Sequence, residues 1–186
     1  RGLMRETIAK QLEAGDLVAA RQSCAELVAT DPSRRTIAFV ARTADALSPI
    51  LKPVTVAVLR SVTLDPLAAM TRALGLADSL DLQVRFGEYN QFEQELAGAG
   101  VLGTQPDVLV LAARLEELAP RLLSRLVGAT DVAVTLDDVL GRIAGWVAAA
   151  RALLPDALIL VHGMEQPVHA AYGLADSRVE LGHRAL

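Results

Sequence analysis

The feature that constrains this chain most is a change of hydrophobic period near residue 50. Up to residue 47 apolar residues recur at helical spacing; beyond the two prolines of "SPILKP" short β-rich runs take over. These runs are "VTVAVL" (54–59), "LQVRF" (82–86), "VLVLA" (108–112) and "ALILV" (157–161), with helical patterns between them. Strands joined through helices need crossover connections rather than hairpins, so they run parallel, and a parallel sheet needs helices on both faces. The expected fold is therefore α/β over 53–186, preceded by a helical appendage over 1–48.

The appendage reads as three helices. "ETIAKQLEAG" closes on Gly15, Asp16 can cap "LVAARQSCAELVAT", and a third helix after "TDP" carries Ile37, Val40, Ala44 and Leu47 on one face. This is the length of one and a half tetratricopeptide-like units. In the α/β part, Asp65 is expected as an N-cap with Pro66 at the first helical position of "PLAAMTRALGL". "RLEELAPRLLSRL" is interrupted by Pro120. "LDDVLGRIAGWVAAARALL" presents Val139, Ile143, Val147, Ala150 and Leu154 as a stripe, with Trp146 beside it.

Composition narrows the function classes. The chain has 186 residues, 52% of them hydrophobic, and a mean hydropathy of +0.35. Charged residues nevertheless interrupt each apolar run well before the roughly 18 residues of a membrane span, so no transmembrane helix is expected. A net charge of −4, a pI near 5.4 and 3% aromatics argue against a nucleic-acid partner. A single cysteine, Cys24, excludes an internal disulfide and a cysteine-based zinc site, and its place in a helical stripe predicts burial. The cytoplasm is the expected compartment. The leading "RGLMRETIAKQ" lacks a charged-then-apolar leader pattern and reads as an added remnant or the cut edge of a longer chain.

In an open parallel sheet, sites form beyond the carboxyl ends of the strands. Each predicted strand exits into polar residues. After the first come Ser61, Thr63 and Asp65: Ser61 is a candidate nucleophile, Thr63 a donor, and the amides of the next helix an anion cradle. The same residues also suit a plain strand-to-helix turn. After the second come Gly87, Tyr89, Asn90 and Gln91, with Gly87 allowing close approach or a positive φ and the amides able to orient a carbonyl. The alternative there is a solvated short helix that buries Phe92 and Leu96. His162, at the fourth exit, is a candidate base facing Ser61. His169 and His183 show no metal-ligand spacing, and the pair Glu180 with His183 is the nearest approach to one. There is no GxGxxG after the first strand, and no Walker, HExxH or GxSxG motif.

Residues 54–118 bring a family into view. The order of a strand, the turn "SVTLDPL", a second strand ending in "GEYNQFEQE", and then "PDVLVLA" resembles the N-terminal region of FkbH-like proteins of HAD subfamily IIIC. "EAGDLVAARQ" in the helical start and "VHGMEQP" after the last strand fit the same pattern. The resemblance implies an SGNH- or flavodoxin-like three-layer domain, incomplete at its C-terminus here. It also implies a full-length protein whose HAD-type phosphatase domain helps convert a glycolytic bisphosphate into a glyceryl thioester on an acyl carrier protein, for polyketide or related biosynthesis. Mg²⁺ is expected only with that phosphatase domain, whose D-x-D-x-T motif does not occur in this sequence.

Carried over by position, Ser61 takes the place of the SGNH nucleophile, and Gly87, Tyr89, Asn90 and Gln91 form the next block. Arg60 stands where an acidic residue is expected, and "AARLEE" replaces the Gly-x-Asn-Asp block that supplies an oxyanion donor. The leading expectation is thus a region that presents a phosphoglyceryl or acyl group, or its acyl carrier protein, to chemistry performed elsewhere. Thr63, Asp65, Gly87, Tyr89, Asn90 and Gln91 would bind the group, and Arg34, Arg35 and Arg42 would dock an acidic carrier. The alternatives are a reduced SGNH-type serine acyltransferase or thioesterase using Ser61 and His162, and a purely structural or docking domain.

Overall fold

The computed structural model describes residues 2–98, 100–120 and 129–163. It is an α/β structure whose four parallel strands are β1 (Lys52–Arg60), β2 (Leu80–Phe86), β3 (Val108–Ala112) and β4 (Leu158–Val161), in the order β2-β1-β3-β4. Its α-helices are α1 (Gly2–Glu13), α2 (Leu17–Thr30), α3 (Arg34–Leu47), α4 (Asp65–Gly75), α5 (Phe92–Leu96), α6 (Leu115–Leu118) and α7 (Ala129–Leu153). All four apolar runs are strands. The first two begin two residues earlier than their apolar patterns, because the ladder continues through exposed Lys52 and Pro53 and through Leu80 and Asp81. Backbone pairing rather than apolarity sets the length of a strand. His169 and His183 lie outside the described residues, as do residues 121–128 after Pro120.

One capping expectation is corrected. Asp16 does cap α2, accepting from the Ala19 N–H at 3.0 Å. Asp65, however, is the first residue of α4, and Leu64 holds the N-cap position with φ −121°. Proline lacks only a donor that the first helical turn leaves unpaired anyway, so the helix tolerates it one position further in than expected. Asp65 then places its carboxylate in the first turn, where the helix dipole favours negative charge.

The chain divides into two compact units. The first comprises Arg1–Ala57, Leu64–Phe86 and Pro106–Val108. Its core joins the N-terminal helices to α4 and to the turn after it: Ile8, Ala20, Cys24, Val40 and Leu47 pack with Ala73 and Leu76, all fully or nearly fully buried. Burial pushes the Cys24 thiol up to about 11. Thr36, also fully buried, satisfies its hydroxyl by donating to Asp31 Oδ2 at 2.9 Å and accepting from Arg5 Nη2 at 3.3 Å.

The strongest polar tie in this unit links α4 to β2. Arg72 Nε donates to Asp81 Oδ1 at 2.7 Å and its Nη2 to Oδ2 at 3.3 Å, while Nη2 also pairs with Asp45 Oδ1 at 2.8 Å. Burial by itself would raise the Asp81 carboxyl, but the hydrogen bonds from Arg72 and Gln83 outweigh it and hold the group below the usual carboxylate range. Asp107 accepts from both the N–H and the hydroxyl of Thr55, within β1, at 2.7 Å, and its own N–H returns to Thr55 Oγ1 at 3.1 Å.

The second unit comprises Val58–Thr63, Gly87–Gln105 and Leu109–Leu186. Here Phe92 of α5 stacks on Trp146 of α7 with ring centroids 4.3 Å apart and planes 6° from parallel. Glu93 Oε1 accepts from Trp146 Nε1 at 3.1 Å and from Arg142 Nη2 at 2.8 Å, and the Arg142 guanidinium lies 5.0 Å from the Trp146 ring centroid. The expected stripe on α7 is buried at Val139, Ala150 and Leu154, and Trp146 is itself a core residue. No helix among the described residues is long and apolar enough to cross a membrane.

The Asp81 geometry generates a test. Replacing Asp81 with Asn removes the charge opposite Arg72 and should cost about 2 kcal/mol, less than the roughly 3–5 of a fully buried pair because Arg72 is partly solvated. The folded-state pKa is lowered, so this stability is present above the unfolded carboxyl pKa and is lost as pH falls through the folded one. Urea titrations from neutral to acid pH should show the wild-type and Asp81→Asn curves converging in acid; a constant gap would contradict this.

Candidate functional site

The second unit holds the carboxyl ends of β1, β3 and β4 and the exit that follows β2, and backbone hydrogen bonds tie each exit to its neighbour. The Gly87 N–H donates to Val58 O at 3.0 Å and the Asn90 N–H to Arg60 O at 2.9 Å. The Ser61 N–H donates to Ala112 O at 3.1 Å and the His162 N–H to Leu111 O at 2.9 Å. The crevice between β1 and β3 is the point where the strand order reverses, the position at which open α/β sheets bind ligands.

Ser61 stands in that crevice and is only 2% exposed. Its Oγ accepts the Arg114 N–H at 3.0 Å, so the hydroxyl takes the place of a backbone carbonyl in extending the β1–β3 ladder by one bond. One lone pair is thereby committed, and the hydroxyl keeps a proton to donate. Thr63 is exposed further along the same exit. His162 is exposed just after β4, which β3 separates from β1 by about 9–10 Å of strand spacing, and among the described residues no hydrogen bond joins its imidazole to Ser61.

The second exit is built around a buried carboxylate. Glu95 of α5 is 3% exposed, and its Oε1 accepts the Glu88 N–H at 3.2 Å while Oε2 accepts the Val101 N–H at 3.0 Å. Two glycines make room for it. A Cβ on Gly87 would lie 2.8 Å from Leu59 Cδ2 and 3.0 Å from Glu95 Oε1, so Gly87 is required for close approach. Gly100, at φ +58°, has the carboxylate where its Cβ would stand. With this clamp below, Tyr89, Asn90 and Gln91 are all exposed on the rim, and Asn90 adopts the left-handed conformation at φ +55°. Phe92 and Leu96 are buried, as the short-helix alternative requires, so the two readings of this segment coexist: one face anchors and the other is displayed.

Sequence reasoning had Glu95 only within the stretch "GEYNQFEQE", with no role of its own. A signal was present, since Phe92, Glu95 and Leu96 have the i, i+3, i+4 spacing of a single buried helix face. Arg114, whose amide binds Ser61, and Asp107, which pins Thr55, were also missed; long-range pairing left no local pattern to find. The remaining candidates, Asp65, Arg34, Arg35 and Arg42, belong to the first unit, where all four are exposed. Arg35 and Arg42, seven residues apart, fall on the same side of α3, and Arg34 is about 100° away.

No family model matches this chain, and no curated protein does. Among solved structures, the chain is similar to the crystal structure of the N-terminal part of the protein BF1531 from Bacteroides fragilis, described as containing a phosphatase domain complexed with Mg. The TM-score is 0.61 at 15% identity over 82% of this chain, which establishes likeness of fold. The chain spans 39% of that protein's length in the crystal. Among the described residues no group of three or more His, Cys, Asp or Glu side chains could hold a metal ion.

The Glu95 clamp predicts its own failure. Glu95→Ala leaves the part-buried Glu88 and Val101 N–H groups without their acceptor and should destabilise by about 1–2 kcal/mol. Faster amide exchange should appear at Glu88 and Val101, and Gly100→Ala should reproduce it. Unchanged exchange at both amides in both variants would show that the carboxylate does not hold the loop.

Proposed function

We propose that this chain is the N-terminal region of an FkbH-like protein, and that its sheet rim is a platform presenting a glyceryl or acyl group, or the acyl carrier protein that bears it, for thioester loading. The observation that carries this reading is the state of Ser61: buried, hydrogen-bonded to the Arg114 amide, and fixed at the strand-order reversal. A hydroxyl held in this way donates one hydrogen bond in a set direction, which suits orienting a bound group. The amides of Asn90 and Gln91 and the hydroxyl of Thr63 complete a set of neutral donors for a carbonyl or a glyceryl hydroxyl. The fold likeness to a protein that contains a phosphatase domain is compatible with this placement.

Under this reading the bond-making steps belong to another domain, which supplies Mg²⁺-dependent phosphate chemistry when present. A carrier protein is acidic, so the first unit would meet it through the exposed Arg34 and Arg35. Attraction between exposed charges is screened by salt over a Debye length of about 10 Å at 0.1 M.

Two measurements test the reading together. A fluorophosphonate probe should leave Ser61 unlabelled, because among the described residues no base is hydrogen-bonded to its hydroxyl, and titration with an acyl carrier protein should give binding that weakens as salt is raised. Charge reversal at Arg34 and Arg35 should reduce that binding about tenfold. Stoichiometric labelling that disappears in Ser61→Ala would instead establish the serine acyltransferase alternative. Absence of both labelling and carrier binding would leave a structural domain.

A further inference from the structure

The first unit contains a cavity of about 670 Å³ that the reading above does not use. It lies between α3 and α4 beside β2, and its origin is legible in the side chains. The two helices face it with Ala38, Ala41, Ala68 and Ala69, which are too short to fill the space, and Leu82 and Val84 of β2 supply further apolar wall. Most of these residues are only half-buried, so apolar surface is left facing water in a concavity of the size that small-molecule sites have.

The polar groups at this cavity are unequal. Arg72 is already spent: its guanidinium binds Asp81, Asp45 and, at 3.4 Å, the Ala41 carbonyl. Asp45, three residues after Arg42 on α3, is that arginine's natural helical partner, yet its carboxylate turns to Arg72. Arg42 therefore lines the cavity as an exposed cation with no ion pair among the described residues. Gln83 donates its amide N–H to Asp81 Oδ2 at 3.1 Å, which leaves its carbonyl oxygen free to accept.

We propose that this cavity binds an amphipathic monoanion, a carboxylate carrying a medium-length acyl chain, with the chain along the alanine walls and the carboxylate on Arg42. The guanidinium offers paired donors matched to a carboxylate. The exposed Asp45 carboxylate nearby disfavours a dianionic head such as a phosphate monoester. The site is separate from the sheet rim and does not depend on the carrier reading: it is tested at Arg42 and Ala68, and carrier docking at Arg34 and Arg35.

The experiment is calorimetric titration of the whole chain with octanoate, octanol and octyl phosphate. Octanoate should bind saturably, and octanol and octyl phosphate at least about tenfold more weakly, a difference of about 1.4 kcal/mol. Arg42→Gln, a substitution at an exposed residue, should weaken octanoate about tenfold without changing the melting temperature. Ala68→Leu, which fills the cavity, should abolish binding. Should Ala68→Leu fail to fold, Arg42→Gln still decides the matter. No saturable octanoate binding, octanol binding as tightly as octanoate, or binding indifferent to Arg42→Gln would each overturn the proposal; tighter binding of octyl phosphate would overturn the choice of a monoanion.

Discussion

The seam between β1 and β3 is the constraint on which the rest of this structure depends. Hydroxyl side chains fasten β1 to the segments on either side of β3: Thr55 through Asp107 before β3 begins, and Ser61 through the Arg114 amide after β3 ends. The Asp107 carboxyl is held below its usual range by the Thr55 backbone and hydroxyl donors, so the first fastening persists to low pH. Because β1 and β3 are neighbours here but not consecutive in sequence, this seam is where the strand order reverses. A one-residue slip would turn every buried side chain of β1 to the wrong face, and these two side-chain clasps oppose such a slip more firmly than strand propensity alone.

Sequence reasoning reached the elements more readily than their ties. Four apolar runs became four strands, and the helical start became α1 to α3, because period and punctuation are local signals. The N-cap of α4 moved by one residue, since proline serves at either of the first two helical positions and its presence cannot choose between them. On the rim, the motif around Ser61 was legible, but whether that serine was free or bonded depended on an amide 53 residues away. Arg72 with Asp81 and Glu93 with Arg142 are likewise pairings that no local pattern announces.

The contrast between Glu93 and Glu95 shows how one short helix separates anchoring from display. The first turns outward to Arg142 and Trp146, and the second turns inward between two glycines. Together they fix α5 from both sides. The exposed amides of Asn90 and Gln91 therefore rest on a rigid base rather than a floating loop, which is what oriented recognition of a bound group requires.

Cys24 has a practical consequence of a different kind. It is the only cysteine in the chain, it is fully buried, and burial raises its thiol to about 11. At neutral pH only about one molecule in ten thousand would carry the thiolate, the form that reacts with maleimides and disulfides. The native protein is thus chemically quiet towards thiol reagents, and a cysteine introduced at any exposed position would be a single, site-specific handle for a fluorophore or spin label, with no background to remove.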